Sequence, residues 1–291
     1  MNKFSIIAAA ILAIAGTSAF AQETPVDVKV FGEVRGFVET TSQNNVDPSV
    51  KSTDSKVGVT VSSNVSEGVG VFGELSANVD VNSSNALTTR FGYVGVQHGT
   101  LGAASIGKHM SIMETFVDKG DKFFNGGNAG VQKQDFYQSN SVRYMNKIGD
   151  LQFGGLAVMT DDAQNKTIDN FQVGAEMFGI GVAYAHNNLT DISHYGVGAE
   201  RKFGPVLVAG SLSMKNATTD VIGYEAVVGY DVTSALTFKA GYSDTDAAGD
   251  SGTITGATEY RFRKNTTGFV TVDYDRDTSD WTARSGISFS F

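Results

Sequence analysis

The sequence predicts an all-β protein, a closed antiparallel transmembrane β-barrel of sixteen strands with a long third outer loop folded inward. Three observations carry this prediction. Apolar and polar residues alternate with period two along almost the whole chain. The links between the alternating segments are by turns tight and long. One stretch, Ser111–Tyr137, shows neither a strand period nor a helix period.

The alternation defines sixteen segments of strand length. In the first of them, Val28 and Val30 alternate with Lys29 and Glu33, so that one face is apolar and the other is charged. The predicted strands are about 26–41, 54–64, 69–82, 86–98, 101–110, 138–147, 150–160, 168–177, 179–188, 192–203, 205–215, 219–230, 235–245, 252–262, 266–275 and 280–291.

The links between these segments predict a bacterial outer-membrane barrel. Tight turns such as Val65–Gly68 and Gly99–Thr100 alternate with longer, more polar links, and the strand number is even. The stretch Ser111–Tyr137 then becomes the third long loop. Because so long an irregular stretch is uncommon in a compact domain unless it is functional, we expect it to fold inward and narrow the barrel.

The two faces of the strands predict which side meets lipid. A barrel of sixteen strands is too wide for its side chains to fill, so a polar lumen and an apolar outer surface are expected. The charged side chains assigned to the lumen by alternation include Glu176, Glu200, Glu225, Lys239, Glu259, Arg261, Asp273, Asp275 and Arg284.

The beginning of the chain predicts export. Lys3, an apolar run and a small-residue ending give Met1–Ala21 the pattern of a signal peptide, which leaves a barrel domain of residues 22–291. Removal of Lys3 changes the formal net charge from −9 to −10, and the acidic balance argues against a nucleic-acid partner. The chain contains no cysteine, so neither disulfides nor thiolate metal sites are expected.

Several motifs resemble those of the general Gram-negative outer-membrane porins, over essentially the whole chain after residue 21. The run Arg90–Val96, with Gly99–Gly102 and Ile106–Lys108 after it, is similar to the pattern of their fourth and fifth strands. Ser139–Tyr144 looks like the strand that follows their inward loop. The last eight residues, with Gly286, Phe289 and Phe291, match the terminal pattern used for barrel assembly.

The resemblance implies a homotrimer of sixteen-stranded barrels in the outer membrane, each with a water-filled pore narrowed by the third loop. Outer-membrane lipids, the barrel-assembly machinery, and ions and small hydrophilic solutes are the implied partners. The sequence departs from the family pattern where Lys56, Lys108 and Gln138 stand in place of arginines that many relatives carry. These departures dilute the basic cluster of the family.

A diffusion pore needs charges of both signs across a narrow, wet gap. We expect the loop phenylalanines Phe116, Phe123 and Phe124 to anchor the loop to the wall, and a bulge near Gly107 to turn Lys108 inward. The predicted basic wall consists of Arg35, Lys56, Arg90, Lys108 and Arg143, and the predicted acidic loop residues are Glu114, Asp118 and Asp121.

The preferred function is passive diffusion of ions and small hydrophilic solutes, with weak cation selectivity. The alternatives are a substrate-specific outer-membrane channel and a non-conducting structural or adhesive barrel. The four histidines show no metal-binding spacing and no hydrolase motif is present, so we expect no enzyme activity, no cofactor and no metal.

Overall fold

The computed structural model describes residues 25–43, 47–80, 87–124, 135–159, 168–247 and 252–291. The predicted signal peptide Met1–Ala21 lies outside the described residues, as does the central part of the predicted third loop. No helix in the described part of the chain is long and apolar enough to cross a membrane.

The described chain is built almost entirely of antiparallel strands, as the alternation predicts. Most observed boundaries lie within two residues of the predicted ones, and the strands 192–203 and 266–275 coincide with them. The strands are β1 (Asp27–Thr41), β2 (Ser49–Lys51), β3 (Lys56–Ser66), β4 (Val69–Val79), β5 (Leu87–His98), β6 (Gly102–Met110), β7 (Tyr137–Ile148), β8 (Leu151–Val158), β9 (Asn170–Met177), β10 (Ile180–Asn187), β11 (Ile192–Phe203), β12 (Val206–Asn216), β13 (Val221–Asp231), β14 (Leu236–Thr245), β15 (Thr253–Arg263), β16 (Thr266–Asp275) and β17 (Trp281–Ser290).

The sheet closes on itself. From β3 onward each strand pairs with the next in the chain, and β1 pairs with both β3 and β17. The backbone N–H groups of Gly32 and Phe291 each donate to the carbonyl oxygen of the other, both at 3.0 Å, at this seam. The predicted closed antiparallel barrel of sixteen strands is therefore confirmed.

A short extra strand, β2, was not predicted. It pairs with β1 at Phe37–Glu39, whereas β3 pairs with β1 at Asp27–Glu33, so β2 and β3 lie in line as two pieces of one barrel strand. The chain leaves the sheet between them, next to Arg35. The interruption gives Arg35 an environment unlike that of a regular strand residue.

The two faces of the wall differ in chemistry as predicted. The apolar face carries exposed aliphatic side chains, for example Val34, Val182 and Val228, each about half exposed. The charged face carries acidic and basic side chains, including the buried Glu225. Because side chains alternate along each strand, the two sets separate along most of the wall.

Candidate functional site

A short helix begins the long stretch after β6. Helix α1 (Ile112–Phe116) has Ser111 at its N-cap, and the Glu114 N–H donates to Ser111 Oγ at 3.1 Å. The Ser-x-x-Glu spacing of Ser111 and Glu114 is that of a capping box. The cap therefore fixes the position of Glu114 in the first turn. The expectation of an entirely irregular stretch is wrong at this point.

The segment Ser111–Phe124, named here the anchored segment, buries its apolar side chains against the wall. Ile112, Met113, Phe116 and Val117 are fully buried in a cluster that includes Leu156, Ala183 and Ala185.

Glycines of the wall allow the anchored segment to approach closely. A Cβ atom on Gly181 would lie 1.9 Å from the Phe116 carbonyl oxygen, and one on Gly198 would lie 2.0 Å from the Val117 carbonyl oxygen. Since any larger residue would collide with this backbone, these glycines determine how closely the segment can pack on the wall.

Polar contacts continue the attachment along the charged face. Lys119 Nζ lies 2.6 Å from Glu176 Oε2, and Lys122 forms an ion pair with Glu200. The Gly120 N–H donates to Glu225 Oε1 at 3.1 Å. In the structure Lys119 and Lys122 are anchors, and their partners lie on distant strands.

Two aromatic contacts hold the end of the anchored segment. Phe123 packs in a buried cluster with Val227 and Ala257. Phe124 stacks on Phe269, with the ring centroids 5.1 Å apart. Together with the buried Phe116, these contacts agree with the expectation that the loop phenylalanines anchor the loop to the wall.

Arg35 connects the wall to the anchored segment. Its N–H donates to Ser55 Oγ at 2.8 Å, which replaces a ladder bond lost at the break between β2 and β3. Its guanidinium donates to Glu33 at 2.8 Å, to Asp54 at 3.2 Å and to the Phe124 carbonyl oxygen. The guanidinium also lies 4.9 Å from the centroid of the Phe124 ring. Arg35 is thus held rigidly beside the end of the segment.

Lys56 and Arg90 extend the basic side. Lys56 Nζ lies 2.9 Å from Glu33 Oε2, so Glu33 bridges Lys56 and Arg35. Arg90 lies at a bulge, because the pairing of β5 with β4 shifts by one residue there. The bulge turns the guanidinium toward Asn78 Oδ1, to which it donates at 3.0 Å.

The three predicted loop acids form one cluster. Glu114, Asp118 and Asp121 each place a carboxylate oxygen within 4.8 Å of the others. Helix α1 fixes the position of Glu114. The contacts that attach the rest of the anchored segment to the wall fix the positions of Asp118 and Asp121. Like charges this close raise the local negative potential and attract cations.

A cavity of about 870 Å³ separates the basic wall from part of this cluster. Its lining combines basic and acidic residues predicted from sequence with aromatic side chains. The charged residues that line it, within the described part of the chain, are Arg35, Asp54, Lys56, Asp80, Arg90, Glu114 and Asp121.

The comparison with protein families decides the class of the molecule. A sequence model described as Gram-negative porin matches residues 8–280. The chain belongs to the Gram-negative porins. It is an outer-membrane channel protein with transmembrane β-strands. No curated protein sequence matches it.

Solved porins share the fold of this porin at low sequence identity. OmpF of Salmonella typhi, solved in complex with daunomycin, is 16% identical with a TM-score of 0.73, over 91% of this chain and 97% of that one. OmpT expressed in the outer membrane of Vibrio cholerae is 15% identical with a TM-score of 0.74, over 93% and 99% of the two chains. The anion-selective porin from Comamonas acidovorans is 13% identical with a TM-score of 0.73, over 92% and 100%.

Two predicted basic residues of this porin do not line the cavity. Arg143 donates a hydrogen bond to Thr115 Oγ1 of helix α1 at 3.0 Å. Lys108 donates to the Thr89 carbonyl oxygen at 2.7 Å and pairs with Gly92, on the strand face of Ile106.

The bulge assumed for Lys108 belongs to the neighbouring strand. The register shifts between Gly107 and His109 because β7 carries an extra residue there, and Asn140 of β7 has a φ of +52°. A bulge near Gly107 is therefore present, but it lies on β7, and the expectation that it turns Lys108 into the basic wall is wrong.

The predicted assembly residues of the porin lie at the closing seam. Gly286 faces Phe37, where a Cβ atom would lie 2.5 Å from Phe37 Cβ. Phe289 and Phe291 are exposed on the apolar face, and their rings stack with centroids 6.3 Å apart. Whether this end is recognised during assembly stays a prediction.

Proposed function

We propose that this porin is a trimeric, water-filled pore through which ions and small hydrophilic solutes diffuse passively, with a weak preference for cations. The observation that carries the proposal is the cavity between the basic wall and the loop acids. Charges of both signs across a narrow gap orient water and favour hydrated polar solutes over apolar ones.

The charged face of the wall is proposed to line the lumen. A barrel of this strand number leaves an interior too wide to be filled by side chains, and in membrane barrels the apolar face meets lipid. The anchored segment contacts the charged face from Gly181 of β10 to Phe269 of β16 and ends beside Arg35 of β1. On that face the segment reduces the open cross-section of the pore.

The weak cation preference follows from the charges around the cavity. Among the described residues, its lining holds three basic and four acidic side chains, a net charge of −1. The basic residues Arg35 and Lys56 also share the nearby carboxylate of Glu33, which lowers their attraction for anions. The third acid of the loop cluster, Asp118, adds negative potential next to the cavity.

Trimer assembly is proposed from the family. OmpT of Vibrio cholerae has been solved in a trimer form, and that structure covers 91% of this chain with a TM-score of 0.70 at 15% identity. The terminal pattern with Gly286, Phe289 and Phe291 is proposed as the signal read by the assembly machinery, because its aromatic side chains lie exposed beside the closing seam.

Reversal potentials in a planar bilayer under a potassium chloride gradient test the proposal. The wild type should give current steps in groups of three and a potential directed toward cations. Glu114→Gln combined with Asp121→Asn should shift that potential toward anions. Glu67→Gln, which removes a carboxylate in an exposed turn away from the cavity, is the matched control and should leave it unchanged.

The possible outcomes separate the parts of the proposal. A wild-type potential directed toward anions would overturn the cation preference and leave the pore. Equal potentials for the wild type and the double variant would show that the cavity is not the narrow part of the path. Folded, inserted protein without conductance would overturn diffusion altogether.

A further inference from the structure

One charged side chain lies on the apolar face of β11. Tyr195, Val197, Ala199, Arg201 and Phe203 alternate along this strand and are all exposed. The residues between them belong to the charged face. Strand pairing agrees, since Arg201 pairs with Val208 and Val208 pairs with Val228, both exposed aliphatic residues.

The guanidinium of Arg201 has no partner within the described chain. No hydrogen bond, ion pair or ring contact joins it to another described residue. An arginine on the lipid face of a barrel is far less costly near the membrane interface than at the bilayer midplane. Arg201 lies two residues before Phe203, the last residue of β11 before a short turn. It therefore stands at the headgroup level of the short-turn end, which faces the periplasm in bacterial barrels.

A depression on the apolar face begins at this arginine. It is a cavity of about 800 Å³ lined almost wholly by apolar atoms. Its floor is low where Ala199 pairs with Gly210, because neither residue carries a large side chain. Its higher borders and its ends are formed by larger apolar residues. These are Phe178, Ile180, Val197, Phe203, Val208 and Leu212.

The size and charge of this depression match one class of ligand. Ligand pockets have volumes of about 300–1,000 Å³, so a hydrocarbon chain fits. A planar guanidinium binds a phosphate oxygen pair in a bidentate manner. A glycerophospholipid has both parts, an anionic phosphodiester at headgroup level and acyl chains below it. A second copy of this chain would present another apolar face, which offers no counter-charge to Arg201.

We propose that the depression and Arg201 form a binding site for a glycerophospholipid of the periplasmic leaflet. The phosphodiester accepts hydrogen bonds from the Arg201 guanidinium, and one acyl chain lies over Ala199 and Gly210 and reaches the pair Val197 and Leu212. The site is separate from the pore and does not depend on conductance or ion selectivity.

Native mass spectrometry of the folded, full-length protein tests the site. The protein is titrated in detergent with dipalmitoylphosphatidylglycerol, and the bound lipids per chain are counted. Arg201→Gln should weaken binding about tenfold, which corresponds to ~1.4 kcal/mol, because the charge-assisted hydrogen bonds to the phosphodiester are lost. Lys202→Gln is the matched control: it removes the same charge one residue away, where Lys202 pairs with Asp231 on the charged face at 2.7 Å. Its binding should equal that of the wild type.

Further ligands and a further variant distinguish the remaining explanations. Dipalmitoylglycerol, which lacks the phosphate, should bind weakly and without dependence on Arg201. Ala199→Phe keeps the charge and fills the floor, so it should also weaken phospholipid binding, and it serves if Arg201→Gln fails to fold.

Four results would overturn the proposal. The first is unchanged phospholipid binding in either variant. The second is an equal loss in Lys202→Gln. The third is an Arg201-dependent association with inorganic phosphate as strong as that with the lipid. The fourth is a change in the number of chains per assembly without a change in the amount of bound lipid. That result would show that this face is a contact between copies of the chain.

Discussion

Replacement of Gly181 by alanine tests how the anchored segment sits on the barrel wall. The added Cβ would lie 1.9 Å from the Phe116 carbonyl oxygen, whereas carbon and oxygen normally approach to about 3.3 Å. Either the segment or the wall must therefore move by about 1.4 Å. The wall strand β10 is held by hydrogen bonds to β9 and β11, so the segment is the part that moves.

The magnitudes indicate that the segment shifts without detaching. Inserting a methyl group into a packed contact costs about 1–3 kcal/mol. The four fully buried side chains Ile112, Met113, Phe116 and Val117 contribute about 1.5–3 kcal/mol each by burial, or roughly 6–12 kcal/mol together. The segment consequently stays attached but moves away from the wall. If the charged face lines the lumen, this movement is toward the pore axis and lowers the conductance.

Single-channel conductance in planar bilayers measures this effect. Gly181→Ala should conduct less than the wild type while remaining a folded barrel on gels of unheated samples. Gly256→Ala is the control, because a Cβ atom at Gly256 meets nothing within 4 Å, and its conductance should not change. A Gly181→Ala pore that conducts as well as the wild type, or better, would refute the placement of the segment between this glycine and the lumen.

Three further outcomes are expected. Ser111→Ala removes the N-cap of α1 and should destabilise the helix by about 0.5–2 kcal/mol. The open-channel current should then be noisier than that of the wild type. Current noise equal to that of the wild type would contradict this. Arg90→Gln removes a cation that lines the cavity and should increase the cation preference in reversal-potential measurements, whereas an unchanged potential would place Arg90 outside the ion path. Phe291→Ala removes a ring that lies against Gly32 at the seam and should lower the yield of heat-modifiable, folded protein. An unchanged yield would show that the seam closes without this ring.

The strands were predictable because their signals are local. Alternation and turn residues lie within each hairpin, and even the strand ends 192–203 and 266–275 could be placed. The short strand β2 was missed because its three residues are too few to show a period. Helix α1 is likewise too short for a 3.6-residue pattern, although its Ser-x-x-Glu cap was visible in the sequence.

The site was predictable in its charge types and only partly in its geometry. Arg35, Lys56 and Arg90 do face Glu114 and Asp121 across one cavity. The bulge that turns Arg90 and the register that keeps Lys108 beside Ile106 depend on neighbouring strands, which one strand's sequence does not encode. The anchoring roles of Lys119 and Lys122 depend on glutamates of β9 and β11, at positions far along the chain.

The seam between the first and last strands has a consequence for the time course of folding. The hydrogen bond from Ser288 Oγ to Glu33 joins residues 255 positions apart, while every other neighbouring pair of barrel strands is close in sequence. Hairpins can form as soon as their two strands are present, but the ring closes only through this most distant contact. Long-range closure is slow because chain entropy must be lost before any bond is gained. Until it happens, β1 and β17 each present an unpaired edge, so an unfinished barrel is the species most exposed to aggregation and to proteases.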